Sequence, residues 1–223
     1  MLKNKIKLIV SCDGGAASGK TTGAKLISKK YKLNFLSSGL LYRYASYLLI
    51  KYAPQNEISF LRKKFFNLNY KKISKINLQS ENINSLVAKI AKQKKIRDIL
   101  KKYQINFARE YNKVCIEGRD IGSVVCPNAD IKLFFKCSLN VRAKRRWSEY
   151  RKNNSKIKLS EVKKALKIRD YQDINRKHSP LRVTKDSIVI DTSKLSKKQT
   201  LYKISSIVEK KLLLKYGRNF KTK

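Results

Sequence analysis

The run Gly14-Gly15-Ala16-Ala17-Ser18-Gly19-Lys20-Thr21 has the form G-x-x-x-x-G-K-T, a set of residue types suited to holding a chain of phosphates. Glycines let the backbone turn so that successive N–H groups converge on phosphate oxygens, with the positive end of the next helix behind them. Lys20 adds a charge able to span the β- and γ-phosphates, and Thr21 offers a hydroxyl to Mg²⁺. The apolar Leu8-Ile9-Val10 before the loop and Ala24, Leu26 and Ile27 after it provide the strand and helix that the motif requires. The expected ligand is ATP, bound by Gly14, Gly15, Ala16, Ala17, Ser18, Gly19, Lys20, Thr21 and Thr22, with Mg²⁺ at Thr21.

Three further groups of residues carry chemistry. Ser38 and Arg43 stand five residues apart after the apolar pair Phe35-Leu36, where a hydroxyl and a guanidinium fork can face one phosphate. Glu117-Gly118-Arg119-Asp120-Ile121-Gly122 follows the strand-like Val114 to Ile116, and ligands of α/β proteins bind at such carboxyl ends. Arg169, Asp173 and Arg176 are spaced to share one face of a helix, with the acid between two guanidinium groups, and Ser179-Pro180-Leu181 follows. Anionic substrates need several cations brought together for phosphoryl transfer, which favours function over a merely solvated stripe.

These groups must be positioned by a fold. Strand-like runs at 8–12, 114–117, 131–135 and 187–191 alternate with helical segments, which predicts an α/β chain with a doubly wound, mostly parallel sheet. Residues 38–111 are too long for one crossover and read as an inserted substrate domain, with a short alternating piece around Ile73 to Leu78. Residues 148–179, densely charged and helical, suit a mobile lid, leaving 1–37, 112–147 and 180–223 as the core. The tail, 216–223, is expected to fray.

Composition narrows the function classes. At 223 residues the chain can bury one full α/β core. No long apolar run marks a membrane span or leader, so the expected location is the cytoplasm, with no membrane partner. Cys12, Cys115, Cys126 and Cys137 lack C-x-x-C spacing and read as small buried hydrophobes. His178 is the only histidine, which removes His-based triads and His-rich metal centres. The formal net charge of +39 suggests nucleic acid at first, but of 54 basic residues only 13 are Arg, and the Lys are scattered rather than gathered. No specific nucleic acid is therefore expected. The Arg that remain are expected where a planar fork is irreplaceable: Arg142, Arg145, Arg146, Arg169 and Arg176, with Arg43, Arg97 and Arg119 inside short motifs.

The ordered set of motifs resembles the bacterial cytidylate kinases, the (d)CMP kinases of the nucleoside monophosphate kinase group. It comprises D-G-x-x-x-x-G-K at Asp13 to Lys20, S-G-x-x-Y-R at Ser38 to Arg43, I-R-x-x-L at Ile96 to Leu100 and G-R-D-x-G-x-V-V-x-P at Gly118 to Pro127. R-A-x-R-R at Arg142 to Arg146, R-D-x-x-D-x-N-R-x-x-x-P-L at Arg169 to Leu181 and D-T-S-x-L at Asp191 to Leu195 complete it, so the resemblance spans nearly the whole chain. It implies a P-loop kinase with a monophosphate-binding insert and a helical lid, acting on CMP and dCMP with ATP and Mg²⁺; a monomer is the default expectation. Carried over, Ser38, Arg43, Arg119 and Arg176 hold the CMP phosphate, Arg97 and Asp120 the cytosine, and Arg169 with Asp173 the sugar hydroxyls. Catalysis is expected of Lys20, Arg119, Asp120, Arg142, Arg169 and Arg176, with Asp120 or Asp13 touching Mg²⁺ through water. The chain departs from the family at Ala17 (usually Gly), Ser37 (usually Asp), Ala88 (a serine at the cytosine) and Gln172 (a lid arginine), and its insert is shorter. Two other readings share some of these features: a P-loop kinase for another small acceptor, and a basic nucleic-acid-binding protein without enzymatic activity.

Overall fold

The computed structural model describes residues 6–78, 80–152 and 156–217. Apolar runs with buried side chains on both faces form the three central parallel strands, as expected where helices cover both sides of a sheet, and two more exposed strands flank them. The strands are β1 (Leu8–Gly14), β2 (Asn34–Ser37), β3 (Lys113–Gly118), β4 (Ile131–Lys136) and β5 (Ser187–Asp191). They form one five-stranded sheet in the order β2-β3-β1-β4-β5, and every neighbouring pair is parallel. In register, Asp13 lies opposite Gly118, and Ser37 opposite Glu117, so the motifs at the carboxyl ends meet along one edge of the sheet.

One face of the sheet packs on α1 (Lys20–Tyr31) and α9 (Lys197–Tyr216) through Val10, Ala24, Ile27, Leu133, Phe135, Ile204 and Val208. The other packs on α2 (Ser38–Tyr52) and α6 (Lys94–Glu110) through Leu36, Leu41, Ile96, Leu100, Ile116 and Ile121. Between α2 and α6 the insert is helical: α3 (Glu57–Phe66), α4 (Tyr70–Ile73) and α5 (Glu81–Ile90). Asn56, Asn69 and Ser80 start these helices by accepting a backbone N–H three residues on. The alternation around Ile73 to Leu78 yields no strand; Ile73 ends α4 and Leu78 is buried with Ile83 and Val87 under Tyr42 and Tyr44. Beyond β4, α7 (Leu139–Lys152) and α8 (Leu159–Asn175) form a helical pair with a small core of Ala143, Val162 and Leu166. The expected boundary at residue 148 thus falls inside α7, which begins before it and runs through it. Residues 153–155 and the tail beyond Gly217 lie outside the described residues; Tyr216 closes α9. All four cysteines are free and buried.

Candidate active site

The loop that follows β1 bends where only a small residue fits. Gly14 has φ +150°, and a Cβ there would stand 2.4 Å from the Phe135 carbonyl oxygen. Ala17 also sits in the left-handed region, at φ 57°. A Cβ in that conformation is disfavoured by about 1 kcal/mol, so Ala17→Gly is expected to raise the melting temperature by about 3 °C in a thermal scan. Thr192 Oγ1 donates to the Ser18 carbonyl at 2.8 Å, and Arg145 donates to Thr192 O at 2.8 Å and to its Oγ1 at 3.2 Å. This tether accounts for the D-T-S motif late in the chain.

Inside the loop two side-chain polar groups are only partly satisfied. Ser18 Oγ is buried with no hydrogen-bond partner, and Lys20 Nζ reaches back 3.2 Å to the Gly15 carbonyl, with Glu117 Oε2 at 3.9 Å. A cradle of this kind fits a phosphate chain. Burial, with the neighbouring Arg119, pushes the Lys20 ammonium down to about 7 against the opposing pull of Glu117. At pH 8 the free Lys20 is therefore mostly neutral, and an arriving triphosphate favours its charged form. ATP binding at pH 8 is expected to take up close to one proton, and the uptake is expected to vanish in Lys20→Ala. Calorimetry in buffers of different ionisation enthalpy measures both.

Beyond Lys20 the cleft is lined by Thr21, Ser38, Tyr42, Arg43, Glu117, Arg119, Asp120, Arg169, Asp173 and Arg176, with Val87 of α5 and Ala91 just past its end as an apolar wall. Its charges form a chain. Arg97 Nη2 donates to Asp120 Oδ2, and Arg176 Nη2 lies 3.7 Å from Asp120 Oδ1. Arg176 Nη1 stands 3.6 Å from Asp173 Oδ1, and Arg119 Nε donates to Asp173 Oδ2 at 2.8 Å, with Arg169 Nε at 3.9 Å from the same oxygen. Burial works against the Asp173 carboxylate, but Arg119, Arg169 and Arg176 hold its pKa below the ordinary value. Asp173 stands between two guanidinium groups as the helical spacing implies. Arg176, however, lies at the end of α8 with extended backbone, anchored by its Nε on the Ser179 carbonyl at 2.7 Å. Its Nη2 is buried without a hydrogen bond. Arg43 makes no hydrogen bond or ion pair among the described residues.

Other cations named from the sequence stand elsewhere. Arg142 is fully engaged: Nε donates to Cys137 O at 3.1 Å, Nη1 to Ala16 O at 3.2 Å and Asp170 Oδ1 at 3.0 Å, and Nη2 to Asp170 Oδ2 at 2.6 Å. Arg145 buttresses the phosphate loop from behind. Arg146 pairs with Glu149 on its own helix at 2.9 Å. Asp13 is turned away from the loop interior, both oxygens accepting backbone N–H groups of Ile121 and Gly122, which leaves Glu117 as the acid beside Lys20.

The sequence reading assigned no role to Glu117, Ser37, Tyr42 or Asp170. Ser37 caps α2 and donates a very short hydrogen bond to Glu117. Tyr42 stacks against the Arg97 guanidinium at 5.8 Å, and burial pushes its hydroxyl up to about 12. The position of Glu117 as the last residue before Gly118 at the end of β3 was the available signal; the others depend on contacts across the fold. Ala88, in place of the expected serine, sits on α5 beside Val87 and does not line the cleft.

A family model described as cytidylate kinase matches residues 10–210. The chain belongs to the cytidylate kinase family. It is 36% identical to the cytidylate kinase of Fusobacterium nucleatum over 219 residues, covering 91% of this chain and 98% of that one. It is 35% identical to the cytidylate kinase of Bartonella tribocorum over 206 residues, covering 90% and 94%. Among solved structures, TT1252 from Thermus thermophilus aligns with a TM-score of 0.50 at 17% identity, covering 93% of this chain and 99% of that one, a likeness of fold alone. The cytidylate kinase motifs thus lie on a parallel α/β sheet, with the phosphate loop, the Arg119-Asp120 turn and α8 around one cleft.

Proposed function

We propose that the cleft between the phosphate loop, the Arg119-Asp120 turn and α8 holds CMP or dCMP and aligns it for in-line attack on the γ-phosphoryl of ATP. The reaction of the family, phosphorylation of CMP by ATP, needs no general base, because the attacking phosphate oxygen is already an anion. What remains is alignment and neutralisation of charge. The observation that carries the reading is the balance of the cleft, where six cations (Lys20, Arg43, Arg97, Arg119, Arg169, Arg176) face three carboxylates (Glu117, Asp120, Asp173). The surplus suits a dianionic acceptor beside a triphosphate.

In this reading Arg43 and Arg176, whose Nη2 has no hydrogen bond, grip the acceptor phosphate together with Ser38 and Arg119. Arg97 and Asp120 meet the cytosine ring edge, and Arg169 with Asp173 the sugar hydroxyls. Lys20 stabilises charge on the transferred group. Mg²⁺ neutralises the β- and γ-phosphates when bound, and Thr21, with Glu117 through water, would hold it. Mg²⁺ sites of this type draw most of their ligands from phosphate and water. Residues 38–111 serve as the monophosphate-binding insert and 148–179 as the lid. Arg142, engaged by Asp170 here, is assigned to the donor side because it spans the loop at Ala16. The same reading takes the enzyme as a monomer acting with its nucleotides in the cytoplasm, without specific nucleic acid. No helix among the described residues is long and apolar enough to cross a membrane.

Coupled ADP release with ATP and a panel of CMP, dCMP, UMP, AMP and shikimate tests the proposal. CMP and dCMP are expected to turn over fastest. A faster AMP or shikimate reaction would overturn it.

A further inference from the structure

The turn that carries Arg119 and Asp120 has little of its own to hold it. It is followed by one short π-helical turn, Ile121–Val125, whose internal hydrogen bonds run from Val124 and Val125 to Asp120 O and from Cys126 to Ile121 O. The N–H groups of Ile121 and Gly122, at its start, have no partner within the turn. Both are taken by one carboxylate: Asp13 Oδ1 accepts from Ile121 N at 2.8 Å and Oδ2 from Gly122 N at 2.7 Å. Asp13 is 6% exposed and belongs to β1, the strand that leads into the phosphate loop. The fit around it is close, because a Cβ on Gly122 would meet Ser11 Oγ at 2.8 Å and Asp13 Oδ2 at 3.3 Å.

We propose that Asp13 is a positioning residue for the acceptor side of the reaction: its carboxylate clamps the backbone N–H groups of Ile121 and Gly122 and so sets where Arg119 and Asp120 point. The inference rests on the acceptor site proposed above. A bidentate carboxylate on two adjacent amides fixes both distance and orientation, and hydrogen bonds to a charged acceptor are the strong ones. Neighbouring Arg119 and Asp120 then inherit their direction from β1 rather than from a flexible loop. The phosphate loop and the acceptor loop are thereby referenced to the same strand, and transfer in line requires that relation.

The charge on Asp13 is held against its surroundings. Burial raises the carboxyl to about 6, opposed by the two N–H groups and by Arg119, and assisted by Asp120. The Cys126 thiol beyond the turn and the Cys12 thiol, on the other side of β1, also feel its charge, both being raised, first by burial. Lys132 of β4 approaches Gly122 through its Cδ while its ammonium pairs with Asp186 at 2.7 Å. Protonation below about pH 6 therefore weakens the clamp, because a neutral carboxyl accepts more weakly than a carboxylate.

CMP's own phosphate also titrates near pH 6, so the ligand-free enzyme is the right sample. In wild-type protein the Ile121 and Gly122 amide protons are expected to lie downfield and to exchange slowly, as two hydrogen bonds to one buried carboxylate require. In Asp13→Asn one N–H faces the amide nitrogen instead of an acceptor. Exchange protection of Ile121 and Gly122 is expected to fall by about tenfold or more, and KM for CMP to rise similarly, with KM for ATP within about twofold. Equal losses for both substrates would assign Asp13 to the phosphate loop or to general stability. Unchanged Ile121 and Gly122 amides in the variant, or exchange of these two amides as fast as at solvent-exposed positions in the wild type, would overturn the clamp, and the latter needs no variant to fold. If the acceptor site were elsewhere, the amides would respond as stated while KM for CMP stayed constant.

Discussion

Turnover in Lys20→Ala is expected to fall by about a hundredfold or more, the effect of removing one preorganised electrostatic donor, while the melting temperature stays within a few degrees of the wild type. The side chain lies inside the loop rather than in either apolar core, and its single hydrogen bond is to the Gly15 carbonyl. Its charge is already disfavoured by burial, so deleting it removes a strained group rather than a support. Glu117, 3.9 Å away, keeps its partner in Ser37. Steady-state kinetics beside a thermal scan checks the pair of outcomes. Near-normal turnover would remove the loop from the mechanism, whereas collapse of the fold would make Lys20 a structural residue.

Much of this site was legible because its parts are local. The eight residues from Gly14 to Thr21 define a loop whose ligand follows from backbone geometry, and Arg169, Asp173 and Arg176 announce a charged face by spacing alone. The sheet was legible for the same reason: β1, β3 and β4 are apolar runs largely buried on both faces, and β5, an edge strand with Ile188 and Val189 exposed, keeps the apolar run Ile188 to Ile190. β2 shows only as a strand-to-helix turn after Phe35-Leu36 and not as a full apolar run, because its four residues contain only those two apolar members. The alternation around Ile73 to Leu78 misled, since Leu78 is buried under Tyr42 and Tyr44 of α2 and not in a sheet.

What sequence spacing could not supply was pairing across the fold. Arg142 reads as a free cation, yet Asp170, 28 residues later, occupies its fork. Asp13 reads as a metal-facing acid beside the loop, yet both oxygens are taken by amides more than a hundred residues away. Each case turns on which of several nearby groups of opposite character a side chain meets, and that is decided by the sheet register, not by neighbours in sequence.

Asp120→Asn is the second substitution expected to have a large effect, on stability and on selectivity together. The carboxylate bridges Arg97 and Arg176, all three being at most 10% exposed at the side chain. Removing one charge from a buried pair is strongly destabilising because the partner is left uncompensated, by about 3 kcal/mol or more. Arg97 keeps the Ala91 carbonyl and Arg176 keeps Ser179 O and Asp173, which holds the loss to the lower end of that range. A drop in melting temperature of about 8 °C is expected. Selectivity follows from the same atoms. Cytosine presents an amino donor where uracil presents a carbonyl acceptor, so a carboxylate accepts from CMP and opposes a lone pair with UMP. An unsatisfied buried group of this kind costs about 1 to 3 kcal/mol, and the wild-type enzyme is expected to prefer CMP by about tenfold or more. An amide can turn its donor toward uracil, so Asp120→Asn is expected to narrow the ratio of kcat/KM for CMP over UMP. If the variant lost stability but kept the wild-type ratio, Asp120 would be a structural bridge between two arginines, and recognition of the base would rest on Arg97 and Tyr42.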